Sequence, residues 1–254
     1  MSDEGFTSPL TFIGCGSAFH TALGNNGGYF YHNQELGMFD CGSATFERLL
    51  RFRVLENVER ITVMLTHTHP DHIGSLGDFI FYSYIKMAPA FKAKLCIKAP
   101  RTLLMHAKDL LMRMGVEEGQ AIWQSLEEDS AFGPYNVTAF PAEHAPHLEC
   151  YSYECVHQAK NEHFYYSGDA KNIPQPVLNR MNEDFYQMVY QDTSFLDYPG
   201  NVHLSLSKLE DLIPTAKRHA ICCMHLDETF PTNEVKEKGF QVATDFQVKE
   251  VARG

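Results

Sequence analysis

Short apolar runs separated by glycine open the chain, at 10–13, 28–31 and 38–40, and read as strands joined by tight turns. The segment 47–52 predicts a helix. The run ITVMLT at 61–66 predicts a buried strand that stops at a histidine-rich loop. Beyond the loop, Ile73, Leu76, Phe79, Ile80 and Tyr84 recur at three- and four-residue steps, so a helix follows. The pattern then predicts a strand at 95–98, amphipathic helices at 103–114 and 121–126, and strands at 137–140, 150–156, 163–167 and 188–190. Leu104, Ala107, Leu111 and Met114 share one stripe, which reads as core packing. A helix at 206–217, a strand at 220–224 and a last strand at 246–251 complete the series. Runs of strands recur with helices in both halves. The fold class this predicts is α/β, two facing mixed sheets with helices outside, in a single domain over 1–254.

Composition narrows the class. With 254 residues, 44% hydrophobic and 21% charged, the chain reads as an ordinary globular protein. No apolar stretch is long enough for a transmembrane helix, and the acidic start carries no secretory pattern. The net charge of −11 argues against a stable nucleic-acid partner, which calls for a basic footprint. Seven cysteines without a CxxC pair fit buried thiols in a reducing cytoplasm. The 13 histidines stand out, through their positions more than their number.

The strongest signal is Thr66-His67-Thr68-His69-Pro70-Asp71-His72, directly after a strand. An extended loop points alternate residues, His67 and His69, toward one place. Asp71 and His72 sit at the turn into the helix and face a second place nearby. Neutral imidazole and carboxylate are usual zinc ligands. One loop cannot fill two metal shells, so the remaining donors must come from later strand ends: His144, Asp169 and His225, each after a short apolar run.

These residues, in this order, resemble the metallo-β-lactamase-fold hydrolases, and among them the branch that contains the tRNA 3′-endonuclease RNase Z. The resemblance covers nearly the whole chain and implies an αββα sandwich. Met38-Phe39-Asp40-Cys41-Gly42-Ser43 matches the family's first motif, in which Asp40 holds the ligand loop without binding metal itself. The resemblance implies two zinc ions per chain, one held by His67, His69 and His144, the other by Asp71, His72 and His225, with Asp169 between them. Manganese and iron(II) accept the same donors. It also implies a catalytic role for Asp71, His203 as the general acid that protonates the leaving oxygen, and Asp192 as its partner.

Two departures from RNase Z redirect the substrate. His144 and Asp169 stand only 25 positions apart, which leaves no room for the branch's tRNA-gripping arm. Gly24 stands where the branch has an arginine. The chain is most similar to the anti-Pycsar phosphodiesterases, which implies a homodimer that opens small 3′,5′-cyclic mononucleotides to 5′-monophosphates over a broad base range. Ser17, His20 and Asn25 of the glycine-rich loop, with Phe79, Tyr82 and Tyr84 of the following helix, are the candidates for holding the base. Residues 88–91 read as a lid or dimer contact, and His106, His147, His157, His163 and His219 as structural or surface residues. A tRNA 3′-endonuclease, another ester or lactone hydrolase of the same fold, and a module that sequesters a cyclic nucleotide without cutting it are the competing readings.

Overall fold

The computed structural model describes residues 8–87 and 89–245. Among the described residues, thirteen strands form two mixed sheets. The first sheet contains β1 (Thr11–Gly14), β2 (Gly27–His32), β3 (Glu35–Phe39), β4 (Arg60–Met64), β5 (Leu95–Ala99) and β6 (Ile122–Ser125), in that spatial order. β1, β2 and β3 pair antiparallel; β3 to β6 run parallel. The second contains β7 (Ala131–Phe132), β8 (Tyr135–Pro141), β9 (Tyr151–His157), β10 (His163–Tyr166), β11 (Met188–Asp192), β12 (Ile221–Met224) and β13 (Gln241–Val242). Here β7 to β10 are antiparallel, and β10 to β13 are parallel.

Strand periodicity assigns each first-sheet residue to a face. Leu36, Met38, Ile61 and Val63 join a core beneath the helices. Phe39 and Met64 point the other way, into a core shared with Tyr153, Phe164, Tyr166 and Tyr190 of the second sheet. Phe39 stacks on Tyr166 with ring centroids 4.2 Å apart, and this contact ties the two sheets face to face. α1 (Thr45–Arg51), α3 (Leu76–Lys86) and α4 (Arg101–Arg113) cover the first sheet. α5 (Gln175–Asn182), which buries Val177 and Met181, and α7 (Thr232–Glu237) lie with the second. α2 (Pro70–Ile73) is a single turn within the histidine loop, and α6 (Leu206–Leu212) follows the 193–205 loop.

Two sequence expectations are corrected, and two fall partly or wholly outside the described residues. Segment 121–126 is not a helix: Ile122–Ser125 pairs parallel with β5, in register Cys96↔Ile122 to Ala99↔Ser125. Six residues carry too little periodicity to separate helix from strand, and the open edge of β5 decides. The helix expected over 206–217 stops at Leu212, because Pro214 cannot continue it; a 3₁₀ turn over Thr215–Ala220 follows. The strand expected at 246–251 and residue 88 of the expected lid lie outside the described residues. No described helix is long and apolar enough to cross a membrane.

The parallel strands position the site. β3, β4, β10 and β12 deliver Asp40, Thr66–His67, Asp169 and His225 just beyond their C-terminal ends, β11 ends on Asp192, and His144 follows β8.

Candidate active site

The site is built around Asp40. Its backbone is left-handed (φ 60°), an uncommon state for a residue other than glycine. The carboxylate accepts hydrogen bonds from the Thr66 amide and hydroxyl, both at 2.8 Å, and from His72 Nδ1, also at 2.8 Å. Backbone bonds lock the same corner: the Cys41 amide donates to the His72 carbonyl at 2.7 Å, and the Ser43 amide to Pro70 at 3.1 Å. His69 is extended, Pro70 starts α2, and this one turn puts Asp71 and His72 side by side.

The histidines converge with matched orientation. His67 Nε2 lies 2.9 Å from His69 Nδ1, which lies 3.2 Å from His144 Nε2. Asp169 Oδ2 stands 3.9 Å from His67 Nε2 and 3.6 Å from His144 Nε2. On the other side, His72 Nε2 lies 3.3 Å from Asp71 Oδ2 and 3.2 Å from Asp169 Oδ1. His225 Nε2 lies 3.4 Å from Asp71 Oδ2 and 3.5 Å from Asp169 Oδ2. Among the described residues two donor groups result, His67–His69–His144–Asp169 and Asp71–His72–Asp169–His225, with Asp169 common to both, and a third, Asp169–Asp192–His203–His225, overlaps them.

The outward nitrogens of four of the rings have partners. His67 Nδ1 meets the Thr66 hydroxyl at 3.0 Å, His72 Nδ1 meets Asp40, and His144 Nδ1 donates to the Val202 carbonyl at 3.1 Å. His225 Nδ1 faces Asp192 Oδ1 at 3.3 Å. This arrangement fixes the rings and leaves inward lone pairs, as metal-binding histidines require. Inward, His72 Nε2 and Asp169 Oδ1 are buried without a hydrogen-bond partner. Burial, then the neighbouring His72, hold the His67 imidazole well below its usual range, so it stays neutral. For His225 burial acts against the charged form, but Asp169, Asp192 and Asp71 outweigh it and raise the ring to about 10. The buried carboxylates therefore demand nearby positive charge. Nitrogens facing one another at 2.9 Å, orphaned polar atoms and this demand for charge all fit divalent cations.

His203 lies beside this cluster. Its Nδ1 donates to Asp192 Oδ2 at 2.7 Å, and Oδ2 also accepts from the Ala170 amide at 2.9 Å. Burial disfavours the imidazolium, yet the Asp192 carboxylate prevails and raises the His203 pKa. Its ring stacks on His225 at 5.0 Å and lies 5.0 Å from His144. His69, Asp71, His144, Asp169, His203 and His225 open into a cavity of about 660 Å³.

The proposed base-holding residues divide. Asn25 lines this cavity and its Oδ1 accepts from the Ala44 amide at 2.8 Å. Ser17 and His20 line an adjoining cavity instead. Phe79, Tyr82 and Tyr84 reach neither: Phe79 is fully buried and stacked on Phe46, Tyr82 packs on Phe46, and Tyr84 packs on Phe91. Phe79 and Tyr82 mark the face of α3 that packs on α1, whereas Tyr84 meets the segment after the helix. A Cβ on Gly24 (φ 67°) would lie 2.7 Å from Arg48 Nε, so a residue from α1 occupies the space beside that position. Sequence reasoning missed Phe19, Thr21, Ser43, Ala44 and Val202 of the cavity lining. It also missed Asn26, whose Oδ1 accepts from the His225 amide at 3.3 Å and whose Nδ2 donates to the Tyr166 hydroxyl at 2.9 Å. The consecutive asparagines inside a glycine-rich stretch were the only available sign.

Comparison with solved structures places the architecture. The metallo-β-lactamase-fold protein YhfI from Bacillus subtilis superposes with a TM-score of 0.72 at 17% identity, covering 94% of this chain and 96% of that one. A diphosphatase of the PhnP family gives 0.73 at 16% identity, covering 94% and 95%. The fold is that of the metallo-β-lactamases. In sequence, the chain is 26% identical over 232 residues to the anti-Pycsar protein Apyc1 of Paenibacillus harenae, covering 87% of this chain and 90% of the relative. The model of the Anti-Pycsar protein Apyc1 family matches residues 8–248, nearly the full length that carries the histidine loop, the shared Asp169 and the His203–Asp192 pair, and the chain therefore belongs to that family of metallo-β-lactamase-fold hydrolases.

Proposed function

We propose that the protein is a metal-dependent phosphodiesterase that opens 3′,5′-cyclic mononucleotides to 5′-monophosphates, acting against cyclic-nucleotide signalling. The observation that carries this reading is the hydrogen-bonded His203–Asp192 pair, set against two metal-ligand groups that share Asp169. Two zinc ions per chain, a homodimer and a cytoplasmic location belong to the same reading and rest on the family resemblance.

In this reading His67, His69, His144 and Asp169 hold one metal, and Asp71, His72, His225 and Asp169 the other. Bound divalent cations there supply Lewis-acid activation of water and neutralise charge on the phosphate. Asp71 and Asp169 fix the ligand geometry. Asp192 accepts from His203 Nδ1 and so keeps the imidazole in one orientation, with Nε2 holding the proton that the leaving ribose oxygen takes. Asp40 acts through Thr66 and His72, not on the substrate.

The testing experiment is a product assay on metal-quantified protein with 3′,5′-cyclic mononucleotides, cyclic dinucleotides and a tRNA precursor, using His69→Ala as the blank. The expected result is opening of the mononucleotides to 5′-monophosphates. Cleavage of the tRNA precursor alone would return the site to an RNase Z-type nuclease. Formation of mainly 3′-monophosphates would overturn the assigned direction of attack.

A further inference from the structure

We infer that the cavity adjoining the metal-ligand cluster is a nucleoside subsite, in which Phe19 and Tyr198 present aromatic faces to the base. This inference rests on the proposed cyclic-nucleotide reading and deepens it. The adjoining cavity, of about 430 Å³, shares Phe19, His203 and His225 with the one over the ligand groups. A substrate whose phosphate lies at His203 can therefore extend into it past residues that line both cavities.

Its lining suits a neutral aromatic group. Phe19 is 86% exposed, Leu196 58% and Tyr198 52%. Large apolar side chains left in water around a concave site mark a binding surface more than a folding need. Among the described lining residues there is no lysine or arginine, while Asp227 and Glu228 make the rim acidic. A second phosphate is disfavoured there; a ribose and base are not. Asp227 is already engaged, accepting from the Phe195 amide at 2.7 Å and from the Thr229 hydroxyl at 2.9 Å.

Both aromatics are carried on pinned loops. The Ser17 amide donates to the Leu226 carbonyl at 2.9 Å and the Thr21 amide to the Phe19 carbonyl at 2.9 Å. His20 Nδ1 also reaches the Leu226 carbonyl, at 3.1 Å. Asn201 organises the other side. Its amide donates to the Tyr198 carbonyl at 3.0 Å, its Nδ2 to the Ser194 hydroxyl at 2.9 Å, and its Oδ1 accepts from the His203 amide at 3.0 Å. The turn that presents Tyr198 is thus the turn that sets His203. Stacking on aromatic faces tolerates any base, so this subsite would accept different bases without a reading contact.

The test measures steady-state kinetics of Phe19→Ala, Tyr198→Ala and the double variant in the metal-loaded protein, with Phe19→Tyr as the conservative control. The substrates are 3′,5′-cyclic AMP, 3′,5′-cyclic UMP and methyl p-nitrophenyl phosphate, which lacks a nucleoside. Binding of adenosine 3′,5′-cyclic phosphorothioate is followed by calorimetry. Each alanine is expected to raise KM and Kd for the cyclic nucleotides by about tenfold, with kcat little changed. Phe19→Tyr is expected to keep the affinity that Phe19→Ala loses, and the loss on methyl p-nitrophenyl phosphate to be much smaller than that on the cyclic nucleotides in every variant. A double variant with unchanged KM and Kd overturns the subsite. So does an equal loss on methyl p-nitrophenyl phosphate, which would mean a general disturbance of the centre. A wild-type protein that leaves both cyclic nucleotides intact overturns the functional reading itself and the subsite with it, and that failure is seen before any variant is made.

Discussion

Asp40 and His72 form a fully buried pair in which His72 Nδ1 donates to Asp40 Oδ2 at 2.8 Å, and this bond turns His72 Nε2 toward Asp71 and Asp169. The same carboxylate holds Thr66, whose hydroxyl meets His67 Nδ1. One aspartate therefore orients a donor of each ligand group. Asp40→Asn keeps the shape but removes the charge and half of the acceptor capacity. Metal affinity should fall about 10–100-fold, read by competition against a chromogenic chelator. Unchanged affinity would mean that packing alone sets the His72 ring.

His203 Nδ1 donates to Asp192 Oδ2 at 2.7 Å, and its ring lines the cavity beside the candidate metal ligands. His203→Ala should lower kcat on cyclic mononucleotides by about 10²–10⁴-fold while metal content stays as in the wild type. Elemental analysis of the same preparation separates the two effects. A loss of metal in parallel with activity would assign His203 to the ligand set, a real alternative because Asp169, Asp192, His203 and His225 also come within reach of one ion.

Much of this site was legible in the sequence because its donors sit at strand ends. His67, His144, Asp169 and His225 each follow an apolar run, and parallel strands bring such ends to one edge. The Asp192–His203 contact was accessible only through family resemblance, since it joins the end of β11 to a loop whose course no local pattern determines. The aromatics of the proposed nucleoside subsite leave no such trace in the sequence. Phe79 and Tyr82 have helical spacing, which reports a packed face, whereas Phe19 and Tyr198 sit on loops without any period. β6 was lost to the same ambiguity, because its identity depends on the edge of β5 rather than on its own residues.

Bound metal should also hold the fold. The ligand groups join residues from both sheets, and His72, Asp169 and His225 are buried together. A ligand held by the folded state alone at about 100 times its Kd contributes about 2.7 kcal/mol. For a chain of this length, complete chelation should lower Tm by about 5–10 °C, with recovery on adding zinc. A melting temperature that does not move once metal analysis confirms removal would separate stability from the centre.

The thiols predict a pH dependence. Burial pushes Cys15 and Cys41 up to about 12 and Cys96 up to about 11. Because the thiolate is the nucleophile, the reactive fraction of Cys96 at pH 8 is about one in a thousand, and it rises as pH climbs toward the thiol pKa. Native protein should therefore resist iodoacetamide at pH 8, whereas denatured protein should alkylate at all seven cysteines. Rapid labelling of any one of these three in the native state, mapped by mass spectrometry, would contradict its burial.

Gly42 offers a steric test of the ligand turn. It sits where the 40–43 corner meets α2, and a Cβ there would fall onto the Asp71 carbonyl and within 2.7 Å of Asn25 Cβ. Backbone has no rotamer by which to yield, and the Cys41–His72 and Ser43–Pro70 bonds hold both sides of the contact. Gly42→Ala must therefore move Asp71 and His72 away from their partners. Overpacking of this kind costs about 1–3 kcal/mol, which corresponds to a Tm lower by about 3–10 °C. Metal affinity should fall with it, because the displaced atoms belong to the ligand turn. Gly119→Ala is the matched control, since its added methyl meets nothing within 4 Å. Equal behaviour of the two variants in melting and in metal titration would show that the corner can relax, and that the tight contact between 42 and 71 is not what sets the second ligand group.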